Sequence, residues 1–462
     1  MKGHALTVAD SAPVIAKPGE TGFDTATRVF NSVAIPEPAA ATTARTVEQV
    51  RSALRYATEH GLRVRMHSTG HGAGAVRPVR DALLIRTALD GAVTVDPTTR
   101  TARIPAGTRW ETVVKAAEPH GLTAAHGSSG SVGVVGYTLG GGLSPYGRLT
   151  GLASNTVRAV ELVTADGRHR RVDTESDPDL FWALRGGGGG FGVVTAVEID
   201  LFPVSRVITG AAYWPGALAD RLLSTWLDWA RDAPAIATTS VRVMNFPDVP
   251  DVPEALAGRT TFTVDGVVHA DDIGAARLCA DDLLGPLRAL GTPLLDTWQE
   301  DAPAAVLRAH MDPEGPLPIV GDHLLLDEFD ARASASFLDV LGEGSGSPLV
   351  GAGLRQLGGA YAAPPSPGGV LDRLDARYSY AGSGLAADPE AAESLRSHCT
   401  KVRHALAPWN TGRVVPSFVE DGTRRQGHLD TRQAVAVARV RAAVDPEGLF
   451  RDDISPTDLR QE

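Results

Sequence analysis

The chain of 462 residues has only 2 cysteines, 4 methionines and 4 lysines, and only 5% of it is aromatic. Cys279 and Cys399 lie 120 residues apart, too few and too distant in sequence for a disulfide framework or a thiolate zinc site. Nothing in them requires an oxidising compartment. No apolar run approaches the roughly 20 residues that span a bilayer, and the first ten residues lack the apolar stretch of a secretory signal. The expectation is a soluble, cytoplasmic protein that does not use the membrane. Basic residues are also in deficit, 44 against 55 acidic for a net charge of −11, which excludes a general electrostatic grip on nucleic acid or anionic lipid. Arginine supplies nearly all of the basic charge, and with the abundance of Ala, Gly and Pro this points to a GC-rich, bacterial genome. Three motifs are missing too: a G-x-S-x-G nucleophile elbow, a Walker lysine, and a dinucleotide fingerprint opening a long helix in an early βαβ unit.

What is present is a globular balance, 43% hydrophobic against 21% charged, over a length that predicts two to four units. Thr46 to His60 carries Val47, Val50, Leu54 and Ala57 at helical spacing, capped by Thr46 and followed by Gly61. Leu62 to Met66 alternates as a strand. Further helices are predicted near Trp110–His120 and Pro178–Leu184, and strands near Ala159–Thr164 and Val193–Leu201. After Phe202-Pro203 the pattern changes to long helical runs, Gly216–Arg231 and Asp271–Leu290. Strand candidates stand between and beyond them at Arg259–Val268, His323–Asp330 and Asp375–Ala381. A surface loop at 362–369 and a terminal helix at 430–444 complete the reading. It is an α+β chain with a first domain at 1–202, a second at 203–405, and a tail at 406–462 that returns to the first.

The 50 glycines are not spread evenly. Three clusters stand out: Thr69–Gly74, Gly127–Gly136 continuing to Gly140–Gly142, and Arg185–Gly192. Backbone amides without Cβ atoms can close round a phosphate, so three such loops suggest the walls of one nucleotide-cofactor site. His71 sits between glycines just after a strand. A metal pair with His67 at i, i+4 would need a helix, which Gly70 and Gly72 oppose, so no metal site is expected.

These motifs resemble the flavoproteins of the vanillyl-alcohol oxidase and p-cresol methylhydroxylase superfamily, in its berberine bridge enzyme-like branch. The likeness is carried by LRVRMHSTGHG at 62–72, by the loop at 127–155 with its GGG at 140–142, and by LFWALRGGGGGFGVVT at 180–195. It implies a two-domain PCMH-type FAD-binding fold with an inserted substrate domain built on an antiparallel sheet covered by helices. It also implies FAD, with its 8α-methyl carried by His71 and its surroundings formed by Met66, His67, Ser68, Thr69, Gly70, Ser128, Ser129, Gly133, Gly136, Tyr137, Gly140, Gly141, Gly142, Ser144, Leu152, Gly192 and Val194. Relatives that attach the flavin twice use a cysteine where this chain has Ser129, so attachment through His71 alone is expected. The tyrosine-x-asparagine-phenylalanine element of the family stands here as Val415-Pro-Ser417-Phe418, and the tyrosine of the loop after GGG is replaced by Thr150.

The implied chemistry is hydride loss from a C–H beside an O–H or N–H of a small molecule, with O2 as electron acceptor and hydrogen peroxide as product, in a monomer or homodimer. A dehydrogenase, an oxidative cyclase and a catalytically idle flavin-binding protein are the alternatives. The base must project from the second domain. Tyr378 and Tyr380, two apart on a strand, share a face and are candidates, with Gln356 and Tyr137 next. Glu420 and Asp421, just past the altered C-terminal element, are further carboxylate candidates for the base, though the expectation is that they are solvated.

Overall fold

The helix predicted after Thr46 forms as Val47–Glu59, with the Thr46 side chain accepting from Gln49 N. The computed structural model describes residues 12–75, 80–363, 368–422 and 427–450. The loop predicted at 362–369 therefore lies partly outside the described residues. Three parallel strands, ordered Ala40–Ala44, Ala82–Thr87, Arg63–His67, take the apolar face of that helix through Val50, Ala53, Leu54 and Ala57. A second, antiparallel sheet of five strands, ordered Thr94–Asp96, Thr101–Pro105, Val193–Asp200, Val157–Val163, His169–Val172, adds Val163 and Val193 to the same core. The far end of the chain completes it. Leu449 and Phe450 pack there, Val64 N donates to Leu449 O at 2.8 Å, and helix Thr431–Val444 packs on helix Pro178–Leu184.

The middle of the chain builds an eight-stranded antiparallel sheet. Seven strands run in the order Leu295–Asp296, Val207–Pro215, Thr260–Val268, Ala237–Asn245, Gly351–Gln356, Tyr378–Leu385, Ile319–Leu326, with Gln299–Asp301 also paired to Val207–Pro215. Three of these, Val207–Pro215, Ala237–Asn245 and Gly351–Gln356, are not evident in the sequence pattern, and the strand expected at 323–330 forms at 319–326. Leu324, Leu325 and Leu326 are all buried, because the sheet is covered on both faces and alternation is lost there. Helices Ala219–Asp232, Ile273–Leu290, Ala331–Leu341 and Pro389–Leu406 cover one face.

Strand parity sorts the sheet into two chemistries. Toward the helices point Trp214, Phe262, Val264, Val241, Val243, Leu354, Leu324 and Leu326, all in one apolar core. Tyr378 and Tyr380 pair with Leu326 and Leu324 and belong to that core. This corrects the expectation that they face the glycine loops. Period two does put them on one side, but it is the helix side. The Tyr380 ring meets Phe337 edge-on and its buried hydroxyl has no partner. Gln356 shares their side: its Nε2 donates to Ala230 O at 2.7 Å and its Oε1 accepts from Thr239. The other face carries Tyr213, Thr263, Asp265, Ser240, Arg242, Arg355 and Ser379, by the same register.

The first body docks on that polar face through residues 142–151. Arg148 is buried and its guanidinium donates to four carbonyls of the second body: Leu357 (3.0 Å), Pro234 (3.0 Å), Ala237 (2.8 Å) and Ala233 (2.8 Å). In return Arg355 Nη1 donates to Leu143 O and the Tyr361 hydroxyl donates to Ser144 O, both at 2.8 Å. Gly147 lies flat on Tyr361, where a Cβ would come within 1.8 Å of the phenol oxygen.

Two outcomes follow for stability, read by urea unfolding. Arg148→Met strands buried carbonyls and should lower stability by at least about 3 kcal/mol, since each unmade buried bond costs roughly 1–3. Tyr380→Phe removes only an unpartnered hydroxyl and should change stability by less than about 1 kcal/mol, whereas Tyr380→Ala should cost about 3–5.

Candidate functional site

The first two glycine clusters meet. The chain leaves strand Arg63–His67 into residues 68–72, and Gly70 adopts φ 75°, with a Cβ there placed 2.6 Å from Val29. The loop at 128–133 lies against it. Gly133 N donates to Thr69 Oγ1 at 3.2 Å, and a Cβ on Gly133 would stand 2.6 Å from Ser68 Oγ. Only glycine permits that approach. His71 is sandwiched at the junction, stacked on Phe30 at 3.8 Å with Nε2 3.3 Å from Ser131 Oγ, which in turn is 2.9 Å from Ser129 Oγ. Burial pushes its imidazole down to about 4, so the ring is neutral at physiological pH. His67 turns away, its Nε2 2.7 Å from Ala26 O, and burial lowers it to about 4 as well.

Beyond Gly133 the helix Val134–Leu139 presents Gly136, whose Cβ position is open, and ends at Gly140–Gly142. Ser417 N donates to Gly140 O at 3.2 Å, which brings the altered C-terminal element to this wall. The Ser417 hydroxyl is buried without a partner among the described residues, as are those of Tyr137 and Thr138. Tyr137 packs edge-on to Trp110 and under Gly142, and burial raises its phenol well above its usual range. Ser144 and Leu152 belong to the docking segment: Ser144 Oγ accepts from Tyr146 N, and Leu152 joins a core with Leu143, Leu325 and Leu357.

The third cluster reaches the second through Gly186 N, which donates to Leu139 O at 3.0 Å. Gly186 is pressed on Leu371, a Cβ on Gly187 would meet Ala183 O at 2.1 Å, and Arg441 Nε donates to Gly189 O at 3.0 Å. The protein's own groups fill these contacts. Gly192 and Val194 sit at the start of strand Val193–Asp200, where a Cβ at 192 would press on Val163 O.

Opposite the two joined loops, the polar face of the large sheet assembles a charged cluster that sequence reasoning missed. Asp265 is almost fully buried and accepts from Arg242 Nε at 2.9 Å, with His310 Nε2 at 3.0 Å. His310 Nδ1 is 3.5 Å from Asp312, whose other oxygen accepts from Ser128 Oγ at 2.8 Å. Arg355 Nε donates to Ser240 Oγ, and its Nη2 is 3.4 Å from His310 Nε2. Despite burial and Arg242, the two carboxylates raise His310; His310 and Arg242 together hold Asp265 and Asp312 down against burial. Only the pairing of Ser240 with Asp265 and Arg355 across three strands, which no local pattern reveals, could have signalled it. Glu420 is half-buried rather than solvated: it accepts from Asn31 Nδ2 at 3.3 Å beside Gly74, and burial lifts it to about 7.

Residues 38–173 match the family described as FAD binding domain. The chain is 30% identical over 214 residues, 46% of its length, to (R)-6-hydroxynicotine oxidase of Paenarthrobacter nicotinovorans, and that stretch spans 47% of the relative. The chain thus matches less than half the length of its curated relatives. Likeness of fold runs further. A 6-hydroxy-D-nicotine oxidase structure from Arthrobacter nicotinovorans superposes with TM-score 0.80 at 22% identity, over 97% of this chain and 98% of that one. Physcomitrella patens BBE-like 1 superposes with TM-score 0.80 at 18% identity, over 96% and 97%. The chain thus carries a match to the FAD binding domain at 38–173 and shares, over nearly its whole length, the fold of 6-hydroxy-D-nicotine oxidase and BBE-like 1.

Proposed function

We propose that this chain is an FAD-dependent oxidase of small molecules, with FAD bound covalently through His71 alone. The observation that carries the reading is the position of His71, stacked on Phe30 and reaching Ser131 where two glycine loops meet. The residues present fit the cofactor. The approach of residues 68–70 to Gly133 leaves no room for a Cβ, and the buried hydroxyls of Tyr137, Thr138 and Ser417 lack partners among the described residues.

Bound there, FAD supplies a two-electron acceptor for a C–H hydride, the part of the chemistry that side chains cannot perform. The chain's own residues do the rest. Residues 68–71 and 128–133 would hold the cofactor with backbone amides and hydroxyls, and Phe30 stacks on the His71 ring at 15°. A lone pair on that ring is available for the covalent link because burial keeps the ring unprotonated. Ser129 is an alcohol where a second link would need a thiolate, so one attachment is expected. The polar sheet face orients the substrate's O–H or N–H. The named activity of the Paenarthrobacter relative supports oxidation of a C–H beside nitrogen as the first class to test.

The purified protein should be yellow, and the colour should stay in the pellet after acid precipitation; colourless protein would sink the reading. Proteolysis and mass spectrometry should find one flavin-bearing peptide, containing His71. A second, containing Ser129, would disprove single attachment. In His71→Ala the colour should move to the supernatant, with flavin reduction by substrate slowed about tenfold or more. Rapid reoxidation of the reduced protein by air distinguishes an oxidase from a dehydrogenase, which would stay bleached.

A further inference from the structure

The charged cluster on the polar sheet face has the construction of a proton-transfer site. Asp265, from strand Thr260–Val268, is 2% exposed and engaged on both oxygens, by Arg242 and by His310 Nε2. The shorter contact, Asp265 Oδ1 at 3.0 Å from Nε2 against Arg355 Nη2 at 3.4 Å, favours the proton on Nε2 and the lone pair on Nδ1. Nδ1 turns to Asp312, at 3.5 Å too long for a good hydrogen bond, and Asp312 is the most exposed member of the cluster at 31%. The His310 side chain itself keeps 18% of its surface exposed.

The backbone is bent to make this arrangement. Met311, between His310 and Asp312, has φ 56°, a left-handed conformation that strains a non-glycine residue. That turn sends both His310 and Asp312 to the sheet, and Met311 is secured by the Tyr213 hydroxyl on its sulfur at 3.0 Å. The cluster also adjoins the glycine loops directly. Ser128, donating to Asp312, is next in the chain to Ser129, whose hydroxyl leads through Ser131 to His71.

We propose that His310 is the general base of substrate oxidation in this site and that Asp265 is its positioning residue. The inference rests on the oxidase reading above and deepens it. In the step, the substrate's O–H or N–H bond breaks, the electron pair stays on the heteroatom, and the proton passes to His310 Nδ1, giving an imidazolium between Asp265 and Asp312. The adjacent C–H hydride goes to the FAD of that reading, so charge and electrons balance. The charged and titratable groups facing His310 are Asp265, Arg242 and Arg355 from three neighbouring strands and Asp312 from its own loop; Tyr213, burial-raised to about 12, stands neutral beyond Met311. The two carboxylates outweigh burial and Arg242 and raise the imidazole above its ordinary value of 6.5, near the pH at which a base works best. Tyr378 and Tyr380 are excluded by the face they occupy.

The test uses FAD-loaded protein and a panel of secondary amines and alcohols, (R)-6-hydroxynicotine first, with anaerobic flavin bleaching as the rate. In the wild type the bleaching rate should fall tenfold per pH unit below an inflection above 6.5, as His310 becomes protonated. His310→Gln should bleach at least about 100-fold more slowly, the usual worth of a general base, with unchanged flavin content. Asp265→Asn should move the inflection to lower pH by at least one unit, a shift that loss of a purely structural contact would not produce. Nitrogen-15 NMR of the same holoprotein, without substrate, should show His310 as the Nε2–H tautomer at high pH, titrating above 6.5. An Nδ1–H tautomer, wild-type bleaching by His310→Gln, or loss of the inflection in Glu420→Gln instead would overturn the proposal. Yellow protein that no panel member bleaches would remove the oxidase reading and this proposal with it, while bleaching that is indifferent to His310 would remove this proposal alone.

Discussion

A buried guanidinium with no carboxylate beside it among the described residues holds the two halves of this molecule together. Arg148 reaches from the segment after the second glycine loop into the inserted body and donates to four main-chain carbonyls, three of them at the end of helix Ala219–Asp232 and the start of the next strand. Burying that charge is tolerable only because every contact is a charge-assisted hydrogen bond to a fixed acceptor. Its consequence is registration. Once Arg148 is seated, Arg355 meets Leu143 O, Tyr361 meets Ser144 O, and the polar face of the sheet stands opposite the loop that carries Ser128 and Ser129. Each body alone would own half a site.

The large sheet shows how one element can separate stability from chemistry. Its helix-side residues are apolar or, like Gln356 and Tyr378, polar groups committed to packing. Its other face tolerates Arg242, Asp265 and Arg355 because each is paired or hydrogen-bonded, so desolvation is offset within the cluster. Gly353 lies in the same row as Arg242, and a Cβ there would fall 2.5 Å from the Arg242 side chain. Small residues beside charged ones leave room for the long side chains to lie across the sheet.

Much of the first body was legible along the chain. The cap at Thr46, the helix at Pro178–Leu184, and the glycine loops beside His71 are local patterns, governed by periodicity and by φ values that glycine alone adopts cheaply. Less of the inserted body was. Strands Val207–Pro215, Ala237–Asn245 and Gly351–Gln356 are rich in Ala, Gly, Ser and Thr and are covered on both faces, so period-two alternation does not mark them. The pairing of Tyr378 with Tyr380 was read rightly as a shared face, but which face could not be read, because parity is relative until the sheet has neighbours.

By itself, then, the sequence determined the two joined glycine loops: glycines where the chain packs tightest, a histidine between them, and a serine at 129. Those are properties of single residues and of short spacings. Only the tertiary structure assembled the charged face of the large sheet. It brings Asp265, Arg242, Arg355 and His310 together from four distant segments, and it assigns the glycines at 186–189 to packing on Leu371 and Arg441. The physical reason is that a charge cluster is a property of distance in space, and antiparallel register converts positions as far apart as 240, 265 and 355 into neighbours.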